Sequence, residues 1–198
     1  MKPSFNAFAL LLLAMVMASA VTASAQTFID FRQLPMTESP SPMPDYFPAS
    51  TNLVWDNFYY VTPGLWKDAG PGFWVDPATQ HNTVAFIGGP LCALTVPCSG
   101  SIKTPQPPAR DMVQPFTPIS ITVAAGWIPN KVMVTAYDSS NVVGSTVWDL
   151  TTQPKTFPFP ATWSKVTQLV FTPEFAPTSA VYPKAGSMVV YSLVIVKR

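Results

Sequence analysis

Twenty-three prolines run through these 198 residues, and their spacing settles which secondary structures the chain can form. Proline lacks a backbone N–H and its ring clashes with the preceding helical turn, so it is kept out of helix interiors and central strands. Between residues 35 and 48, prolines stand at positions 35, 40, 42, 44 and 48. Pro105, Pro107, Pro108, Pro115 and Pro118 break up a second stretch. No segment holds a 3.6-residue apolar period over ten residues without a proline, so no helix is expected. A disordered Pro-rich chain would be poor in aromatics. This one is 13% aromatic and 48% hydrophobic, which predicts a folded domain with Pro-bounded loops.

What lies between the prolines reads as strand. The first is Thr27–Phe31, and Leu53–Val61 is aromatic and β-branched throughout. Asn82–Ile87 is another strand, stopped by Gly88-Gly89-Pro90. Residues 62–81 and 97–117 read as loops. Ile119, Ile121 and Val123 alternate with smaller or polar residues, as do Val132, Val134 and Ala136. Alternation with period two means one buried and one exposed face. Asp138-Ser139-Ser140-Asn141 is a turn joining this strand to Val142–Leu150 as a hairpin. Lys165–Phe171 follows, and Ser187–Val196, apolar on both faces, is expected at the centre of a sheet. The set predicts an all-β chain folded as a single β-sandwich, without internal repeat or linker.

Residues 1–25 have the form of a cleavable secretory signal: Lys2, the apolar run Phe8–Ala18, and the small-residue site Ala23-Ser24-Ala25 before Gln26. A membrane anchor would need about 20 apolar residues, and this run decays into Ser19, Thr22 and Ser24. The expected mature chain is residues 26–198, secreted and extracellular, with no membrane insertion after cleavage. Val196-Lys197-Arg198 does not resemble a C-terminal lipid-anchor signal. Eleven Lys and Arg against ten Asp and Glu leave a charge near zero with no basic run, which argues against nucleic acid as a partner. In an oxidising compartment Cys92 and Cys98 are expected to pair. So short a loop gives about 2 kcal/mol of chain-entropy stabilisation. A metal or thiol-catalytic role for them would need partner ligands that the sequence does not offer.

The ordered motifs resemble a family of secreted proteins of fungi and some bacteria whose domain is a galactose-binding-like jelly roll. The similarity is carried by Phe28-Ile29-Asp30-Phe31, then Tyr46, Leu53, Trp55, Asn57, Phe58 and Tyr59. It continues through Asn82–Phe86, Val132–Asp138, and Trp163, Val166, Leu169 and Phe171, covering nearly all of residues 27–196. The resemblance implies a jelly-roll sandwich. The family's opening pair of acids is reduced here to Asp30, and Tyr191-Ser192 stands where an acid often lies. Calcium wants six to eight oxygens, several from carboxylates, so no cofactor is expected, with structural calcium the only candidate.

Catalytic chemistry has little to stand on. His81 is the single histidine, and no G-x-S-x-G elbow accompanies it. Glu38 and Glu174 are the only glutamates, both beside prolines, and most aspartates sit in turn contexts. No metal site is expected, and the chain reads as non-enzymatic. Aromatics are the surplus. The loop Leu65–Asp76 sets Trp66 and Trp74 among Asp68, Asp76, Lys67 and glycines, and Trp127 follows Gly126. Such rings either plug the end of a sandwich or form a platform for sugar rings. Trp55, Trp148 and Trp163 lie in strand patterns and are expected in the core. The leading expectation is a binding module for an extracellular or cell-wall glycan, with Trp66, Trp74, Asp68, Asp76 and Trp127 at the site. The alternative is a secreted interaction or effector protein of a fungus that contacts a surface protein. A third is a glycan hydrolase with an unrecognised acid pair.

Overall fold

The computed structural model describes residues 25–73, 82–87, 99–105, 114–174 and 187–197. The segment 1–24, Trp74, Asp76, His81, Cys92 and Cys98 lie outside the described residues.

Twelve strands are described, in chain order β1 (Gln26–Asp30), β2 (Ser41–Pro42), β3 (Val54–Asp56), β4 (Phe58–Val61), β5 (Val84–Ile87) and β6 (Gly100–Lys103), then β7 (Phe116–Ala125), β8 (Asn130–Asp138), β9 (Asn141–Leu150), β10 (Lys155–Pro158), β11 (Gln168–Pro173) and β12 (Met188–Lys197). They form two antiparallel sheets. The larger has the order β10-β7-β12-β5-β4-β2, with β1 also paired to β12; the smaller is β3-β6-β11-β8-β9. From β5 onward the described strands alternate between the two sheets, except that β8 and β9 form a hairpin within the small one. The protein is thus an all-β sandwich of jelly-roll type.

Its core is the sum of the inward positions of both sheets. Ala85, Ile87, Ile121, Val123, Val190, Leu193 and Ile195 of the large sheet face Ile102, Val132, Val134, Ala136, Leu169 and Phe171 of the small one. Each large side chain so buried contributes about 1.5–3 kcal/mol. Trp55, Trp148 and Trp163 are 5%, 6% and 2% exposed, the core placement expected of them, although Trp163 lies in the connection between β10 and β11 rather than in a strand. The alternation read in β8 holds. In β7 it holds for Ile121 and Val123 but not for Ile119, which is only half-buried where the register to β12 shifts between Val194 and Ile195, and Ala124 is buried as well. Strand β12 is flanked on both sides, by β7 along its length and by β5 and β1 on the other edge.

The stretch Leu53–Val61 is not one strand. Asn57 takes a left-handed φ of 58° and turns the chain from β3 in the small sheet to β4 in the large one. Its Nδ2 donates to the Ser99 carbonyl at 2.8 Å. Asparagine tolerates this conformation better than residues whose side chain cannot bond locally. Asn57→Gly should cost about 1 kcal/mol for the lost bond, and Asn57→Ala about 1–2 kcal/mol more. Urea titration of the two variants tests this; equal midpoints would show that the left-handed turn is not what the position requires. Strand β6 lies inside the segment 97–117 that reads as loop. Its Gly100 and Ser101 are buried, so small residues rather than β-formers were selected there. Ideal Cβ placement at Gly100 would come within 2.7 Å of Ile87 Cγ1.

The second sheet ends on β9. Its outer face, with Met133 of β8 beside it, exposes Val143 and Val147, and Val142 is exposed near the turn.

Candidate functional site

The outer face of the large sheet divides into two halves. On one half Tyr59 and Val61 of β4, Val84 and Phe86 of β5, and Val189 and Tyr191 of β12 form a second apolar cluster outside the main core. The segment 62–73 folds over it. Two close backbone approaches seat that segment. Gly72 N donates to Gly126 O at 2.8 Å, and a Cβ on Gly72 would lie 1.6 Å from Ala125 O. A Cβ on Gly70 would lie 2.2 Å from Trp127 Cδ1. The Tyr191 hydroxyl donates to Gly72 O and ties the segment to β12 from the other side.

The rings interlock. Trp66 stacks on Phe86 with centroids 5.8 Å apart and planes 20° apart. It meets Phe73 at 5.1 Å and Trp127 at 5.8 Å edge-on. Phe73 is buried, while Trp66 and Trp127 are half-buried. Edge-to-face and offset contacts at these separations are the arrangements that ring quadrupoles favour. Trp127 Nε1 donates to the Asp68 carbonyl at 3.3 Å, so Asp68 holds this cluster by its backbone and leaves its side chain exposed. Of the five residues singled out by sequence, the structure brings Trp66, Asp68 and Trp127 together; Trp74 and Asp76 lie outside the described residues. The two tryptophans cover the sheet and keep part of their surface in solvent.

The other half of the face is open and polar, with Ser120 and Thr122 of β7 and Ser192 and Val194 of β12 all only partly buried. At the boundary lies a notch of about 330 Å3, lined by Phe28, Asp30, Phe31, Arg32, Asn82, Thr83, Val84, Tyr191 and Ser192. Its origin is local. Strands β5 and β1 lie end to end along one edge of β12: Ala85 pairs with Val190 and Asp30 with Ser192. On the opposite edge the register to β7 shifts between Val190 and Ser192. Tyr191 is the extra residue of this bulge, so Tyr191 and Ser192 both face outward between buried Val190 and Leu193. Bulges re-aim side chains in this way. Phe28 is 61% exposed at the rim. Asp30 accepts from Arg32 Nε at 2.7 Å and from the Arg32 backbone N at 3.2 Å. The carboxylate's hydrogen bond and charge raise the Arg32 pKa above its ordinary value. Sequence reasoning missed this place. The available signal was Tyr191-Ser192, which interrupts an otherwise apolar strand.

Among the described residues no three His, Cys, Asp or Glu side chains gather as a metal ion would require, and the Asp30 carboxylate is engaged by Arg32. No helix of the described residues is long and apolar enough to cross a membrane.

No protein-family model matches the sequence, and no curated protein matches it significantly. Solved structures do match. A DUF4465 family protein from Bacteroides caccae superposes with TM-score 0.54 at 11% identity, over 88% of this chain and all of that one. A DUF4465 family protein from Bacteroides ovatus gives 0.51 at 8% identity, over 87% of this chain and 99% of that one. A family 32 carbohydrate-binding module of C. perfringens NanJ, solved with galactose, gives only 0.30 at 14% identity, over 87% of this chain and all of that one. At these identities the first two likenesses establish a shared fold.

Proposed function

We propose that the mature chain is a secreted, non-enzymatic binding module for an extracellular or cell-wall glycan, held on the outer face of the large sheet. One observation carries it: Trp66 and Trp127 are locked edge-to-face by the backbone of 62–73 and remain half-exposed. Sugar rings present apolar faces, and binding sites for such ligands combine aromatic walls with a few placed polar groups. Rings already fixed in place lose little conformational freedom when a ligand arrives. The exposed side chain of Asp68 beside them supplies a hydroxyl acceptor.

A glycan array and polysaccharide pull-down on residues 26–198 test the reading. Trp66→Ala and Trp127→Ala should each weaken retention at least tenfold, about 1.4 kcal/mol or more. No retained glycan, or retention unchanged in both variants, would refute it. A second reading, a secreted protein that docks on a surface protein, rests on a different observation: Met133, Val143 and Val147 are exposed together on the small sheet. Co-purification with a protein partner that Val147→Lys abolishes, with no glycan retained, would favour that reading.

A further inference from the structure

The notch at the bulge of β12 has the makings of a site of its own, apart from the tryptophans. It combines four things in one small space. Phe28 offers an exposed ring at the rim. The Asp30–Arg32 pair lies beside it, fixed by bonds of the carboxylate to both the backbone and the side chain of Arg32. Asn82 and Ser192 add short polar side chains to the lining. The inner wall is closed by buried Phe31 and Val84.

We propose that this notch binds a single neutral pyranose, at the end of a glycan chain; the proposal rests on the carbohydrate reading above. Size points to one ring. At about 330 Å3 the notch stands at the low end of the range typical of small-molecule sites, about 300–1,000 Å3. All of its lining is drawn from the one junction where β1 and β5 meet beside β12. Charge points to a neutral ligand. Asp30 and Arg32 cancel, and neither a uronate nor an amino sugar meets an unbalanced opposite charge. The chemistry fits hydroxyls. A carboxylate accepts from a sugar O–H while the neighbouring guanidinium, with its fork of N–H donors, donates to the next oxygen. Phe28 takes the apolar face of the ring.

The test is a titration of residues 26–198 with methyl pyranosides of glucose, galactose, mannose and N-acetylglucosamine, with methyl glucuronide as the charged comparator, followed by amide and indole NMR shifts. At least one neutral glycoside should move the amides of Phe28, Asp30, Arg32 and Ser192. Phe28→Ala and Asn82→Ala should each weaken that binding about tenfold while Trp66→Ala leaves it within twofold. Phe28 is exposed, so its loss leaves the melting temperature nearly unchanged and the variant remains a fair test. Shifts confined to the Trp66 and Trp127 indoles, or affinity unchanged in both variants, overturn the notch and leave the glycan reading standing. Tighter binding of the glucuronide overturns the neutral-ligand assignment. Absence of any shift, together with no retained polysaccharide, overturns both.

Discussion

Gly72→Ala is expected to unlatch the segment 62–73 from the sheet. A methyl group there would stand 1.6 Å from Ala125 O, a backbone atom with no free torsion to yield. The segment must therefore move, and the Gly72–Gly126 bond and the Tyr191 hydroxyl bond go with it. Overpacking at well-filled sites costs about 1–3 kcal/mol, and the two broken hydrogen bonds add about 1 kcal/mol each. Because the cluster beneath lies outside the main core, the damage should be local. Near-UV circular dichroism should lose the coupled Trp66–Trp127 signal while the far-UV spectrum persists. Trypsin should cut after Lys67 at least ten times faster than in the parent. If the tryptophans serve as the glycan platform, polysaccharide retention falls in step. An unaltered near-UV spectrum would show that the segment is not seated by that approach.

Trp55→Ala should do more general damage. The ring is 5% exposed, meets Phe31 at 5.4 Å and Phe58 at 5.2 Å edge-on, and donates from Nε1 to the Phe47 carbonyl at 2.7 Å. Truncating a buried tryptophan costs about 3–5 kcal/mol, against a total stability of about 5–15 kcal/mol for a domain. The melting temperature should drop by about 10 °C or more, at about 2–4 °C per kcal/mol for a chain of this size. Trp55→Phe isolates part of the effect, since it keeps a ring and loses the bond to Phe47. Its cost should be roughly half as large. A Trp55→Ala variant that melts within about 3 °C of the parent would contradict the packing described.

Much of this architecture is legible in the sequence, and the reasons are physical. Alternation in Val132–Ala136 maps directly onto one buried face, because a strand repeats every two residues; Ile121 and Val123 follow the same rule, while a register shift against β12 leaves Ile119 only half-buried. The double-sided apolar run at 188–196 announces a central strand for the same reason. Strand pairing is less legible. Nothing in Leu53–Val61 marks where it leaves one sheet for the other, since a single left-handed asparagine does that work and its neighbours are good strand formers on both sides. The candidate site was half-visible. Tryptophans among glycines and aspartates can be read locally, and Trp66, Asp68 and Trp127 do come together. The notch could not be read that way. It exists only because Phe28, Asn82 and Tyr191, far apart in sequence, meet where two strands abut on a third.

That third strand also sets the order in which the molecule can be assembled. Strand β12 contacts β7, β5 and β1, and its partner β1 is more than 160 residues away along the sequence. Among the described strands, β7 and β5 have no common neighbour and β1 has no partner until residues 188–197 arrive. The hairpin β8–β9 can close early, and so can the pairs β4–β5 and β7–β10, but these two parts of the large sheet are joined only through β12. Folding of such non-local topologies is slow, because the loop-closure entropy is lost before the contacts reward it. The expected kinetics are a fast phase of hairpin and neighbouring-strand pairing and a slow phase in which the spine of the large sheet and the notch beside it appear together.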